Sequence, residues 1–238
     1  MSAVESIPEK VVERKTIVYK TLVDPTVAKI TGEKMKDKLF VRLGFLKPRP
    51  EEVKCVSVSK SYEPYLVVRG KYSIDYYRKR VYTVDVDEDV QEVILLKQSF
   101  KTLSPEKPAK KGLRVIRLVG MERLFYEDAA YLILDKMGHE VAPDQVPEAP
   151  SEEEPEKTLT EFSEKIGKPE IPADMEVGVI RSKIVRRPQE IERVVKEIFE
   201  ISERAIIYAP VYEVGFQNTK TGGVRAVRVD GITAKVIQ

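Results

Sequence analysis

The chain has 238 residues and a mass of 27.2 kDa, which suits one large domain or two small ones. Charged residues make up 34% of it, whereas histidine, cysteine and asparagine occur once each and tryptophan is absent. A single cysteine excludes an internal disulfide, and one histidine with one cysteine cannot supply the four ligands of a structural zinc site.

The composition also indicates a source and a compartment. Abundant Lys, Glu and Arg with few thermolabile amides is typical of hyperthermophiles, so we expect a thermophilic, archaeal source. The opening residues, MSAVESIPEKVVERK, lack the apolar core of a secretory signal, and no apolar run approaches the ~18 residues of a membrane span. We therefore expect a cytoplasmic protein that does not bind membranes.

Charge is unevenly distributed along the chain. Residues 1–120 hold 25 Lys and Arg against 16 Asp and Glu, and residues 177–238 hold 11 against 7. Between them, residues 121–176 hold 5 against 16. Two basic blocks that flank an acidic one suggest a charged partner, although solubility of a charge-rich protein is the alternative explanation.

The segment YEPYLVVRGKYSIDYYRKRVYTVDV at 62–86 combines six tyrosines with alternating apolar residues. The alternation predicts a long β-hairpin whose tip is Tyr76-Tyr77-Arg78-Lys79. Such a tip could stack on single-stranded nucleic acid and neutralise it. The alternative is an ordinary hairpin, since tyrosine favours strands and charges protect sheet edges. The predicted partner-binding residues are Tyr72, Tyr76, Tyr77, Arg78, Lys79 and Arg80.

The segment at 113–138 predicts a strand followed by a helix. Leu113–Val119 is typical of a strand, and seven apolar residues then share one helical face up to Met137, with Gly138 as the stop. The alternative for the same residues is a hairpin that turns at Asp135-Lys136-Met137-Gly138.

The acidic stretch that follows predicts a linker at 141–175. Six prolines fall within it, and each restricts its own backbone and that of the preceding residue. Low hydrophobicity and high acidity are typical of a solvated tether. Within it, Thr158-Leu159-Thr160-Glu161 has capping-box spacing, which predicts a short helix over 159–166 that could dock on a partner.

The C-terminal residues predict a β-α-β-β module. Val177–Val185 is typical of a strand, and QEIERVVKEIFEISER at 189–204 has an apolar stripe at helical spacing. The run IIYAPVYEVGF, the turn NTKTGG and the run VRAVRVDG then predict a β-hairpin, with a further strand at the end.

Landmarks in the two halves of the chain match. Arg49-Pro50-Glu51-Glu52 is similar to Arg187-Pro188-Gln189-Glu190, and Tyr62-Glu63-Pro64-Tyr65 is similar to Tyr208-Ala209-Pro210-Val211. The matches predict an internal duplication, and convergent strand composition is the alternative. The predicted fold class is thus α+β, with two modules of antiparallel hairpins packed on helices at 1–140 and 176–238.

The C-terminal 50 residues or so resemble the PepSY-type module, in which a helix precedes a hairpin that ends in a VDxxTGxV turn. The corresponding turn here is Val229-Asp230-Gly231-Ile232-Thr233-Ala234, with alanine in place of the glycine. The resemblance implies a small α+β binding or inhibitory unit without catalytic residues.

No motif for catalysis or cofactor binding is found in the sequence. Asp85, Asp87 and Asp89 occupy the first three EF-hand positions, but Val90 and Leu96 stand where the loop needs glycine and glutamate. These aspartates therefore predict a strand end and a turn. Phosphate-binding glycine loops are absent, and Cys55 lies in a strand-like alternation typical of a core residue.

These patterns predict a non-enzymatic protein that binds a macromolecule, without metal or cofactor. The first hypothesis is a nucleic-acid or ribonucleoprotein partner that contacts the residues of the predicted tip. The second is a protein–protein adaptor or assembly subunit whose hairpin edges pair with partner strands. A third, an enzyme without a recognisable motif, has no residue pattern in its favour.

Overall fold

Three strands of unusual length dominate the computed structural model, which describes residues 6–40, 48–104, 113–172 and 174–237. They are β3 (Val53–Asp87), β6 (Leu113–Leu134) and β8 (Arg193–Asn218), and each far exceeds the roughly five or six residues of an average strand. The shorter strands are β1 (Glu9–Val11), β2 (Lys15–Val18), β4 (Glu92–Leu95), β5 (Gln98–Lys101), β7 (Glu140–Val141), β9 (Val224–Asp230) and β10 (Val236–Ile237). The helices are α1 (Pro25–Glu33), α2 (Lys36–Leu39), α3 (Pro155–Glu161) and α4 (Met175–Ile184).

The strands form one large sheet and one small one. The large sheet has the order β10-β9-β8-β3-β6-β7, and β1 and β2 also pair with β8. Pairing of β8 with β9 is antiparallel, with Val214 opposite Val227, whereas β2 runs parallel to β8. Strands β4 and β5 form a separate antiparallel hairpin. The α+β class is therefore confirmed.

The chain divides into two compact units, and each combines three separate segments. The first unit comprises residues 1–9, 71–128 and 185–199, and the second comprises residues 10–70, 129–184 and 200–238. Each unit draws on residues that the sequence assigns to both predicted modules. Residues 1–5, 41–47, 105–112 and 173, which fall within the predicted N-terminal module and linker, lie outside the described residues.

The second unit contains two separate clusters of buried apolar residues. In the first cluster α1 packs closely on the sheet, since a Cβ at Gly32 would lie only 3.0–3.3 Å from atoms of Val214 and Phe216. Aliphatic and aromatic residues from α1, β3, β8 and β9 are buried there, and Cys55 packs against them as expected for a core residue. A further cluster joins Val67, Ile133 and Val146 to Ala205 and Ile207.

The acidic segment at 141–175 is not confirmed as a linker, because its described residues belong to the second unit and pack within it. Val146 is buried, and the ring of Phe162 lies edge-on to that of Tyr62 with centroids 5.3 Å apart. The N–H of Gly167 donates to the Tyr62 carbonyl at 2.8 Å. The predicted helix at 159–166 begins earlier, as α3, and its later residues form a 3-10 turn.

Three predicted elements are wrong. In each case the spacing of apolar residues fits both a helix and a strand. Residues 189–204 contribute to β8 and 121–134 to β6, instead of forming helices, while 175–184 forms α4 instead of a strand. Backbone pairing with a distant strand decided the first two, since strand residues need such partners and short apolar runs are ambiguous. The alternative hairpin for 113–138 is confirmed, because Asp135 accepts an N–H bond from Gly138 within the turn.

Turns are predicted more successfully than helices. The hairpin of β8 and β9 is confirmed, with Asn218 Oδ1 accepting the N–H bonds of Lys220 and Thr221. Strand β3 ends at Asp87 and a turn follows, as the spaced aspartates predict. The final strand is also confirmed, since β10 pairs with β9.

A buried ion network anchors α4 within the second unit. Glu176, in the first turn of α4, is almost fully buried and accepts a hydrogen bond from Arg204 Nε at 2.7 Å. Arg14 Nη1 lies 3.7 Å from the same carboxylate, and Arg204 also pairs with Asp174. Burial acts to lower the pKa of Arg204, but the hydrogen bonds that its guanidinium donates to Glu176 and Asp174 outweigh this effect and raise it. The network fixes the start of α4 on β8.

Replacement of Glu176 by alanine should lower the free energy of unfolding by about 3–5 kcal/mol, because Arg204 would keep its charge without its buried partner. Chemical denaturation measures the loss. The matched control is Glu203→Ala, which removes the partner of Arg69 from a half-exposed pair and should cost less than about 1 kcal/mol. Equal losses in the two variants would contradict a buried anchoring role for Glu176.

Candidate functional site

The predicted binding tip is wrong in its geometry, because β3 continues without a turn from Val53 to Asp87. Tyr72 and Tyr76 are buried in the first unit and therefore cannot stack on a nucleic acid. Tyr77 is half-buried, and the guanidinium of Arg193 lies over its ring at 4.5 Å. The six predicted residues share one strand, but its alternation points them to opposite faces of the sheet.

Two of the three predicted cations are paired within the chain. Arg78 Nε donates to Glu122 Oε2 at 2.7 Å, and Arg80 Nε lies 3.7 Å from Oε1 of the same carboxylate. Tyr82 also donates to Glu122, at 2.5 Å. The hydrogen bonds from Tyr82 and Arg78 lower the pKa of Glu122. The third predicted cation, Lys79, is exposed. Much of the basic charge that the sequence suggests for this segment is therefore neutralised by β6.

The charge blocks of the sequence do not give either unit a large net charge. By sequence, the first unit contains 16 Lys and Arg against 15 Asp and Glu, and the second contains 25 against 24. Within the second unit, Lys20 of the basic block lies 3.8 Å from Glu153 of the acidic one. Neither unit has the excess of positive charge that is typical of nucleic-acid-binding domains.

A buried tyrosine–glutamate pair stabilises the core of the first unit. Tyr72 Oη donates to Glu197 Oε1 at 2.7 Å, and Arg187 Nη2 lies 3.2 Å from Glu197 Oε2. Burial, followed by the bond to Glu197, raises the pKa of Tyr72, so the phenol stays protonated as a donor. Sequence reasoning missed Glu197 and Arg187, and no local signal marks them, because their partner lies more than a hundred residues away in the chain.

The outer edge of β6 is open in the first unit. Both backbone groups of Val115 bond to Leu103, at 2.7 and 2.9 Å, so odd-numbered residues of β6 point their N–H and C=O groups away from β3. Burial alternates without interruption from 117 to 131, which shows that no bulge changes this phase. In the described part of the first unit, no strand pairs with β6 beyond Val115 on that side.

Several exposed apolar side chains lie on the open edge, which we define as the outward-pointing residues of β6 from Val119 to Glu127. Val119, Met121 and Phe125 are 63%, 51% and 66% exposed. Natural proteins usually protect long edges with proline, bulges or a covering element, because an open edge pairs readily with another strand. Two charged residues lie on this edge, Arg123, which pairs with Asp75, and Glu127, which pairs with Lys71. Residues 119–127 contain no proline. Its chemistry suits a second strand.

A second exposed apolar feature is the tip of the β4–β5 hairpin. Leu95 lies opposite Gln98, so Leu96 and Lys97 form a two-residue turn in which both have positive φ, at 49° and 65°. Turns of this type favour asparagine and glycine, and a leucine there is strained. Leu96 is nevertheless 98% exposed, and Ile94 beside it is exposed too. Packing within this chain therefore does not compensate for the backbone strain at the apolar tip.

A cavity of about 550 Å³ in the second unit is lined in part by charged side chains that hold turns and ion pairs. Asp135 accepts bonds from the N–H groups of Met137 and His139, and Asp230 accepts from those of Ile232 and Thr233. Glu63 pairs with Arg228. Four of the charged groups that line the cavity, Glu63, Asp135, Arg228 and Asp230, are thus engaged in turns or ion pairs.

The described residues show neither a cluster of metal-ligating side chains nor a membrane-spanning helix. They contain no group of three or more His, Cys, Asp or Glu side chains placed to hold a metal ion. None of the described helices has the length and apolar character that crossing a bilayer requires.

Replacement of Leu96 by asparagine should slow amide hydrogen exchange across residues 92–101 about fivefold, because asparagine accepts positive φ and relieves about 1 kcal/mol of strain. Hydrogen–deuterium exchange followed by mass spectrometry measures this. Leu95→Asn is the control, since Leu95 does not have positive φ, and it should not slow exchange. Unchanged or faster exchange in Leu96→Asn would show that the turn is not strained.

Comparison with known proteins identifies no relative, so a function can be inferred only from the geometry of this chain. No protein-family model, curated protein sequence or solved structure matches this chain.

Proposed function

We propose that this chain is a non-enzymatic protein-docking subunit that receives a β-strand from another polypeptide on the open edge of β6. The observation that carries the proposal is a run of outward-pointing backbone groups from Val119 to Glu127 together with three exposed apolar side chains. Main-chain hydrogen bonds give such strand addition its affinity, and alternate side chains give it specificity.

A protein partner is favoured over a nucleic acid by the charges. Arg78 and Arg80, which a phosphate backbone would need, are bound to Glu122, and each unit is close to neutral by sequence. Binding of nucleic acid depends mainly on unpaired cations and the release of counterions. The exposed tip of the β4–β5 hairpin supports the same choice, because an apolar side chain such as Leu96 suits a pocket in a protein.

The duplication predicted from the sequence is also part of the proposal. A helix precedes a long strand in both halves, as α1 with β3 and α4 with β8. The two Tyr-x-Pro stretches lie at the same level of adjacent strands, since Ser61 Oγ donates to the Val211 carbonyl. A two-fold relation between the halves accounts for this placement, with the long hairpin β3–β6 as the elaborated copy.

The resemblance of the C-terminal residues to the PepSY-type module is supported by one backbone feature. Ala234 has φ of 59° at the position where that module has glycine, and its N–H donates to the Asp230 carbonyl at 3.1 Å. The local turn therefore needs the left-handed conformation for which glycine is suited. A binding role without catalysis, which the resemblance implies, agrees with strand addition.

Proline at an outward-pointing position tests the open edge with little harm to the fold. Met121→Pro removes an N–H that points away from β3, and prolines are tolerated on edge strands in that orientation. We expect the variant to fold but to lose the partner that wild-type protein recovers from extracts of its source after nuclease treatment.

The matched control is Leu124→Pro, which removes an N–H directed towards β3 and should lower the free energy of unfolding by about 3 kcal/mol or more. Circular dichroism distinguishes the two variants. Retention of the partner by Met121→Pro, or recovery of RNA or DNA that nuclease removes together with the partner, would overturn the proposal in favour of another surface or a nucleic acid.

A further inference from the structure

We propose that the open edge of β6 selects an extended, uncharged protein segment whose side chains read apolar, polar, apolar, apolar at every second residue. This selectivity rests on the proposed function, because it names the chemistry of the strand that the same edge receives. Three features of the first unit specify that chemistry. They are the direction of the existing pairing, the spacing of the exposed apolar side chains, and the ion pairs that lie between them.

The existing pairing at the start of β6 gives the incoming strand its direction. Leu103 pairs antiparallel with Val115 on the outer side of β6. A strand that continues this line along the open edge is also antiparallel, which is the slightly more stable arrangement. The residues of the incoming strand therefore meet Glu127 first and Val119 last.

Every second side chain of the incoming strand lies on the same face of the sheet as those of the open edge. In an antiparallel ladder, two residues that exchange both backbone hydrogen bonds lie directly opposite, with their side chains adjacent. Val115 and Leu103 exchange both bonds, so the outward-pointing residues of β6 are odd-numbered. The residues that bond to β6 therefore place their side chains beside those of odd-numbered residues.

The exposed apolar side chains define three positions of the incoming strand. Val119, Met121 and Phe125 are each more than half exposed. Apolar residues opposite them remove this surface from water, and cross-strand apolar pairs stabilise a sheet. In the antiparallel direction the first apolar residue faces Phe125. The second follows four residues later, opposite Met121, and the third follows two residues after that, opposite Val119.

The charged residues of the open edge already have partners on β3, which favours an uncharged strand. Arg123 donates to both oxygens of Asp75, at 2.6 and 3.0 Å, and Lys71 lies 2.6 Å from Glu127. A charged side chain placed beside either pair would lose its water without gaining a free partner on the edge. Threonine suits these positions, since it favours strands and needs no counter-ion.

The first experiment measures the binding of synthetic peptides to the full chain by fluorescence anisotropy. The probe is Thr-Thr-Val-Thr-Thr-Thr-Val-Thr-Val, labelled at its N-terminus and amidated, whose valines match Phe125, Met121 and Val119. The matched control has the same composition, with valine at the first, second and ninth residues, so that no two valines face the apolar residues at once. We expect the control to bind about tenfold more weakly, because two apolar pairs are lost. Equal affinities, or no binding of the probe, would overturn the spacing.

The direction of the strand is tested with the reversed sequence of the probe. The reversed peptide matches all three apolar residues only as a parallel strand, and as an antiparallel strand it matches two of them. It should therefore bind about fivefold more weakly than the probe. Equal or tighter binding of the reversed peptide would overturn the antiparallel direction.

Replacement of the fifth residue of the probe by aspartate tests the preference for an uncharged strand. That residue lies opposite Arg123, which is held by Asp75. The aspartate peptide should bind about fivefold more weakly, because its carboxylate loses water and gains no free cation. Tighter binding would show that Arg123 is available to the incoming strand, and an acidic strand would then replace the uncharged one.

A substitution in the protein locates the binding site. Phe125→Thr should raise the dissociation constant of the probe about fivefold, because one apolar pair is lost from an exposed position that the fold does not need. Val195→Thr, at an exposed position of β8, is the matched control and should leave the affinity unchanged. Equal effects of the two substitutions would place the peptide elsewhere.

Backbone methylation of the probe separates the side-chain order from the proposed function. N-methyl groups on the fifth and seventh residues remove donors to the carbonyls of Arg123 and Met121 and should weaken binding at least tenfold, by roughly one bond each. N-methyl groups on the fourth and sixth residues point away from β6 and should be tolerated. Equal losses in these two peptides would overturn strand addition itself. Equal binding of the probe and the spacing control, with only the first methylated peptide weakened, would keep strand addition and reject the side-chain order.

Discussion

The backbone of β8 contains 26 residues whose N–H and C=O groups must be paired wherever the strand is buried, and this need shapes the rest of the fold. In the second unit its outer edge is shared among several segments. β2 pairs with residues 205–208 and β9 with 211–217, on either side of Pro210, which has no N–H to donate. The Pro210 carbonyl instead accepts from Gly231 at 2.8 Å, where the close approach leaves no space for a side chain. Short strands and turns far apart in sequence are therefore positioned by one long strand.

The elements predicted correctly are those that local chemistry determines. The turn after β8 depends on Asn218 and on Gly222, whose φ of 71° suits glycine, and both signals are present in six consecutive residues. The strand end at Asp87 is likewise marked by neighbouring acids. The wrongly predicted elements are those in which the spacing of apolar residues fits both a helix and a strand. Val194, Val195, Ile198 and Phe199 fit a helical stripe, yet pairing with β3 makes the segment a strand, and the sequence nearby contains no sign of that partner.

The prediction of the candidate site was limited in the same way, because its residues depend on pairing between distant strands. Sequence reasoning identified tyrosines and cations on β3 but placed them at a turn, since it could not show that the strand continues. Arg78 and Arg80 pair with Glu122, which lies on a segment that the sequence predicts to be helical. Because that segment is a strand beside β3, the sequence prediction could not show that these cations are neutralised. The open edge of β6 was hidden for the same reason. Protein contacts through hairpin edges, the second hypothesis from the sequence, stay a prediction.

The near-neutrality of each unit has a consequence for the speed of association. With a formal net charge of +2 over 238 residues, the chain has little long-range field to guide an incoming partner. Encounters should therefore occur at the unsteered rate of roughly 10⁵–10⁶ M⁻¹ s⁻¹ and change little with ionic strength. Differences in affinity between partners, or between variants of the open edge, would then arise from how long the strands stay together once they meet.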